Sequence, residues 1–177
     1  MIAGTYDAVR DQIQDGDIVF VGHGTSVFSR LTEFVTRSPF FHVAIAFWMR
    51  DAEYESRLML VEAHQGGRRI VTASAYQVYP MKIVQSDVPF TAYSRDLLDR
   101  AGSVPYGYLD YVAIGMRELF GVKMDNFKGE VCSEMVAASL NKGGHYLPTL
   151  ISPAKLYDRL VSDMGWQIRA DVMPNKP

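Results

Sequence analysis

Val131-Cys132-Ser133-Glu134-Met135-Val136-Ala137-Ala138-Ser139-Leu140-Asn141-Lys142-Gly143-Gly144, late in a chain of 177 residues, reads as a helix that starts at Cys132. Gly129 breaks what precedes it, Ala, Met and Leu favour helix through its body, and Asn141 and Gly143 end it. The protein's one cysteine therefore stands at a helix N-terminus. Unpaired backbone N–H groups and the positive end of the macrodipole stabilise a thiolate there, and the same amides can hold an oxyanion. A nucleophilic thiol is built in such a place, although a lone cysteine is also a common small apolar residue of cores.

A thiol nucleophile needs a base to take its proton, and the base needs a third group to fix its tautomer. Working outward from Cys132, the stretch Phe40-Phe41-His42-Val43-Ala44-Ile45-Ala46-Phe47-Trp48 reads as a strand with unlike faces. Phe41, Val43, Ile45 and Phe47 form the bulky face, which predicts core; His42, Ala44, Ala46 and Trp48 form the other. The small residues beside His42 leave room for the Cys132 helix to pack there, so that sulfur and imidazole meet. Asp51-Ala52-Glu53 marks a turn, and Arg57 to Ala63 is the return strand. A hairpin centred on Ala52 pairs residues whose numbers sum to about 104, which sets Glu62 directly opposite His42. A slip of one residue would send Glu62 to the other face. Glu62 lies between Val61 and Ala63, and a carboxylate buried there needs a partner.

The remaining elements frame these three residues. Asp15-Gly16-Asp17 is a turn before a buried strand, Ile18 to Val21, and Gly22-His23-Gly24 ends it. Thr25 or Ser26 then caps a helix with Val27, Phe28, Leu31, Phe34 and Val35 on one face, stopped at Ser38-Pro39. Gly66-Gly67-Arg68-Arg69 reads as a turn, Ile70-Val71 and Met81 to Val84 as short strands, and Tyr93 to Arg100 as a helix. Tyr106 to Phe120 is largely apolar and helical. Ser152-Pro153 fits the cap and first-turn positions of a short helix through Leu160, and Trp166 to Arg169 reads as a last strand.

Together these motifs resemble a family. Asp15-Gly16-Asp17-Ile18-Val19-Phe20, Phe41-His42-Val43-Ala44-Ile45, Val61-Glu62-Ala63 and Val131-Cys132-Ser133-Glu134-Met135-Val136 are similar to the circularly permuted NlpC-type papain-like cysteine peptidases and amidases, particularly the YiiX and YaeF group. The order His, acidic residue, Cys is the permuted one. The resemblance covers roughly residues 15–161 and implies a single papain-like α+β domain over residues 1–177. That fold would place a central antiparallel sheet or partial barrel against helices, the Cys-bearing helix among them. It also implies a thiol hydrolase in which Cys132 is the nucleophile, His42 the base and then the acid, and Glu62 the residue orienting His42.

Other candidates carry less. Tyr106 and Tyr108 can donate to an oxyanion beside the Cys132 N–H, but aromatic residues at that density also suit a core. Arg68 and Arg69 can clamp a substrate carboxylate, yet two arginines after Gly-Gly also make a solvated turn. His23, His64 and Cys132 lack the close-spaced pair that a zinc site shows, so neither metal nor cofactor is expected.

Bulk properties narrow the classes further. Eighteen basic against 20 acidic residues, a formal charge of −2, give no field for nucleic acid. The longest apolar run, Val43 to Met49, is too short to span a bilayer, and the first ten residues lack the basic and apolar regions of a signal peptide. A cytoplasmic location is the expectation, with delivery to the envelope by a phage virion or another signal-independent route as the alternative. The expected activity is cleavage of a peptide or isopeptide bond, the family pointing to cell-wall peptides. The alternatives are a lipid acyltransferase or thioesterase of the same superfamily, and a non-enzymatic binding module; oligomeric state is not readable from sequence.

Overall fold

The computed structural model describes residues 1–22, 39–50, 56–64, 67–102 and 131–175. Outside them lie the predicted helices after Gly24 and after Pro105, the Asp51-Ala52-Glu53 turn, His23, and both Tyr106 and Tyr108.

Among the described residues seven strands form one open sheet: β1 (Ile2–Thr5), β2 (Ile18–Gly22), β3 (Phe40–Met49), β4 (Arg57–His64), β5 (Gly67–Thr72), β6 (Met81–Val84) and β7 (Ile168–Met173). Their spatial order is β1-β7-β6-β2-β3-β4-β5. Every neighbouring pair is antiparallel except β1 and β7, which run parallel. The sheet is thus antiparallel through its centre, parallel at the β1–β7 edge, and not closed. The parallel pair arises because β1, which carries no strand signal of its own, is held at the edge by the final strand.

Among the described residues the helices are α1 (Tyr6–Val9), α2 (Ser94–Asp99), α3 (Cys132–Lys142) and α4 (Pro153–Asp158), the last running into a π-helical turn at Arg159–Asp163. Ser152 caps α4 by accepting from the Lys155 N–H, with Pro153 in the first turn.

The two faces of the sheet bury separate cores. On one, Val43, Ile45, Val61 and Ala63 pack with Cys132, Met135, Val136 and Leu140 of α3 and with Leu156 of α4. On the other, Ala44, Ala46, Leu58 and Leu60 pack with Val19, Val21, Tyr6 and Tyr76. The Cys132 helix therefore covers the Val43 and Ile45 face, not the Ala44 and Ala46 face. The branched side chains supply the apolar area that holds a helix, and the small ones are covered by Tyr76 and its neighbours.

Phe41 also departs from its predicted face. Val21 pairs with His42 but Gly22 pairs with Phe40, so Phe41 is the extra residue of a β-bulge in β3. Phe40 joins the core under α3, whereas Phe41 packs on the opposite side, its ring 5.4 Å from that of Tyr79. A bulge re-aims side chains locally, and this one lies immediately before His42.

Arg68 and Arg69 lie within β5 rather than in a turn. Arg68 is buried, its guanidinium donating to the Leu97 carbonyl at 3.3 Å and so tying β5 to α2. The turn at Asp15-Gly16-Asp17 does form, with Gly16 at φ +91, a conformation that favours glycine. Behind it Asp17 is buried and paired with Arg169 of β7 at 2.6 Å, which joins the start of the sheet to its last strand.

Candidate functional site

α3 begins at Cys132, as its composition predicts, with Val131 in the extended N-cap position. Valine has no side-chain acceptor, so only half of a capping box forms: the Glu134 carboxylate accepts from the Val131 N–H at 3.3 Å. The first-turn N–H groups, Cys132 and Ser133 among them, have no acceptor within the helix. The Ser133 hydroxyl donates to the Ile151 carbonyl at 2.5 Å, which anchors this turn to the chain leading into α4.

His42 and Glu62 come from adjacent strands. Observed β3–β4 pairs, such as Ile45↔Val61 and Met49↔Arg57, have numbers summing to 106 rather than 104. The hairpin is centred one residue later than predicted, which offsets His42 and Glu62 by two positions. Two is a whole side-chain period, so Glu62 stays on the face of His42 and meets it diagonally, within reach of a long side chain. Nε2 of His42 and Oε2 of Glu62 lie 2.7 Å apart. The β3–β4 ladder stops at Ile45↔Val61, so the two strands are not hydrogen-bonded to each other where His42 and Glu62 lie.

Cys132 belongs to the core on the other side of the sheet, yet its thiol lies near enough to the imidazole to raise the pKa of the ring. With Nε2 given to Glu62, Nδ1 is the nitrogen left for the thiol. All three residues are buried: His42 is 5 % exposed, Cys132 6 % and Glu62 0 %.

Electrostatics follow from this geometry. Burial alone would push the His42 pKa down; the hydrogen bonds and negative charges of Cys132 and Glu62 outweigh it and raise the ring to about 9. Burial would raise Glu62, but His42, Tyr76 and Arg69 together hold it down to about 2. The carboxylate therefore accepts the Nε2 proton, and the raised ring favours an imidazolium beside a thiolate, the charge state in which the sulfur is nucleophilic.

No family model matches this sequence, and no curated protein matches it. Solved structures do match, among them the crystal structure of metalloprotein yiiX (DUF1105) from Escherichia coli O157:H7, at a TM-score of 0.51 and 16% identity over 94% of this chain and 99% of that one. The fold is YiiX-like. At that identity the likeness speaks for the fold alone. Among the described residues of this YiiX-like chain, no group of three or more His, Cys, Asp and Glu is placed to hold a metal ion.

Tyr76 escaped the sequence reading, and Arg69 entered it only as a clamp for a substrate carboxylate or part of a solvated turn. Tyr76, in the 3-10 turn Ala73–Tyr76 after β5, donates its hydroxyl to Oε2 of Glu62 at 2.7 Å and stacks on the His42 ring with centroids 5.5 Å apart. Nothing in Ala73-Ser74-Ala75-Tyr76 carries a motif, so no sequence signal marks it. Arg69 donates from Nε to Oε1 of Glu62 at 2.8 Å. It sits directly opposite Glu62 in the β4–β5 register, and an opposite-charge cross-strand pair was the available signal once Gly67 to Thr72 is read as strand. His64 lies beside the cluster, its ring centroid 6.4 Å from that of His42. The cavity of about 600 Å³ lined by Arg10, Asp11, Trp48, Arg50 and Ser56 opens at the far end of β3 and takes no part in this site.

Proposed function

We propose that this protein is a papain-like thiol hydrolase of the permuted NlpC type, an amidase or peptidase that works through Cys132, His42 and Glu62. The observation that carries the reading is the buried His42–Glu62 hydrogen bond between β3 and β4, with the Cys132 thiol at the N-terminus of α3 near enough to raise the pKa of the ring. Structural packing alone does not call for an imidazole set between a thiol and a carboxylate.

In this mechanism Nδ1 of His42 takes the Cys132 proton and the sulfur attacks the substrate carbonyl carbon. The carbonyl oxygen becomes an oxyanion facing first-turn amides of α3. The His42 imidazolium gives its proton to the leaving amine, the C–N bond breaks, and an acyl-enzyme remains on Cys132. Water, deprotonated by His42, then releases the acid and restores the thiol. Glu62 holds the ring with Nδ1 toward sulfur throughout. A peptide or isopeptide of the cell-wall type is the proposed substrate, and Tyr106 and Tyr108 remain proposed oxyanion donors. The word metalloprotein belongs to the solved neighbour; Nε2 of His42 is already given to Glu62, and no step of the mechanism runs through a metal.

The test is a panel of peptide, isopeptide and ester substrates offered to wild type, Cys132→Ala and His42→Ala, with iodoacetamide labelling of the thiol. Both variants should lose turnover while keeping the wild-type circular dichroism. Hydrolysis retained by Cys132→Ala would sink the proposal, and the preferred substrate separates an amidase from a thioesterase or acyltransferase.

A further inference from the structure

A carboxylate offers about four acceptor positions on two oxygens, and the donors around it decide which oxygen faces the base. Glu62 meets three donors from three different segments. Oε2 accepts from Nε2 of His42 on β3 and from the hydroxyl of Tyr76 in the turn after β5, each at 2.7 Å. Oε1 accepts from Nε of Arg69 on β5 at 2.8 Å. Tyr76 also touches the triad a second time, through a ring stacked on the imidazole at an interplanar angle of 22°. A turn of the carboxylate or of the imidazole therefore breaks more than one contact. An amide at position 62 could not serve all three donors, because its nitrogen accepts nothing.

Charge points the same way. With thiolate and imidazolium formed, Cys132, His42 and Glu62 hold two negative charges and one positive in a buried place. Arg69 supplies the fourth charge and makes the row neutral. Among the described residues, the other groups facing the row are His64 on β4, Phe41 on β3 and Tyr79, which touches both Phe41 and Tyr76.

We propose that Tyr76 and Arg69 are positioning residues for the triad: Tyr76 locks the Glu62 rotamer and the His42 ring plane together, and Arg69 balances the charge of the Cys132–His42–Glu62 row. The inference rests on the thiol-hydrolase reading and adds two residues to it. Its direction is set by elementary electrostatics. Taking a positive charge out of a cluster makes every proton in that cluster harder to remove, so each titration step should move to higher pH. Tyr76→Phe keeps the ring and removes only the donor, which weakens stabilisation of the carboxylate and acts in the same direction to a smaller extent.

The experiment measures the rate of Cys132 alkylation by iodoacetamide against pH in wild type, Arg69→Gln, Arg69→Lys and Tyr76→Phe, with nitrogen NMR shifts of the His42 ring recorded on the same proteins. Circular dichroism establishes that each is folded. Arg69→Gln should move the steps of the profile, and the His42 titration, upward by about one pH unit. Tyr76→Phe should move them by less, and Arg69→Lys, which keeps the charge, should stay nearer to wild type. An unshifted profile in Arg69→Gln and Tyr76→Phe overturns the proposal. So does a uniform fall in rate without displacement, which is what a merely structural role would produce. If Arg69→Gln does not fold, Tyr76→Phe alone decides, an upward displacement supporting the proposal and its absence overturning it. Alkylation needs no turnover, so failure of the thiol-hydrolase reading, seen as hydrolysis by Cys132→Ala, is registered in a different assay.

Discussion

Nε2 of His42 lies 2.7 Å from Oε2 of Glu62, although the β3–β4 register sets the two residues two positions out of step. A diagonal contact of this kind depends on side-chain length. Glutamate spans it, and a carboxylate one methylene shorter falls short of the imidazole.

Position 62 is therefore expected to be intolerant in two distinguishable ways. Glu62→Gln keeps length but loses the anion that Nε2, Tyr76 and Arg69 address, and kcat should fall by about 10²–10⁴ with the fold retained. Glu62→Asp keeps the anion and loses reach, and should fall less. Kinetics on both, beside their circular dichroism, checks the order.

Stability should depend on pH through the same pair. His42 rises from 6.5 to about 9 on folding, so its contribution is fully present below 6.5 and is lost as pH climbs from 6.5 through 9. Glu62 falls from 4.5 to about 2, so its contribution is present above 4.5 and is lost as pH drops from 4.5 toward 2. The melting temperature should be flat between these windows and decline on both sides. In His42→Ala, which removes the titrating ring, the alkaline decline should flatten; a decline of unchanged slope would remove His42 as its cause.

Asp17 and Arg169 make a third prediction, remote from the His42–Glu62 pair. Asp17 is 2 % exposed, and burial raises its pKa against the opposing backbone bond from Gln14 and the pairing with Arg169. Arg169→Ala leaves that carboxylate buried without its cation and should cost about 3 kcal/mol at neutral pH. The cost should shrink in acid, where Asp17 takes up a proton, and urea titrations at the two pH values measure the difference.

The end of α3 supplies another. Gly143 has φ −80, so no left-handed backbone requires glycine there; a Cβ at that position would collide with Cγ1 of Val88. Gly144 has φ +102 and open space around it. Gly143→Ala should destabilise by about 1–3 kcal/mol and be partly rescued by Val88→Ala. Gly144→Ala should cost about 1 kcal/mol and not be rescued, because its penalty lies in the backbone.

Much was legible in the residues alone: the helix beginning at Cys132, the strands around His42 and Glu62, the turn at Gly16 and the Ser152-Pro153 helix start. These features are local, since caps, periodicity and turn chemistry act within a few residues of one another. The pairing of His42 with Glu62 also came from sequence, through residue type and strand parity, and parity survived an error of two in the register. Sequence periodicity did not reveal the bulge at Phe41, the face on which α3 packs, the parallel β1–β7 edge, or the roles of Tyr76 and Arg69. Each of those depends on which strand lies beside which and on how tightly side chains from distant segments fill one another's space. A single strand's alternation states that two faces exist; the apolar area on each, and the donors brought in by neighbouring strands, settle which partner each face receives.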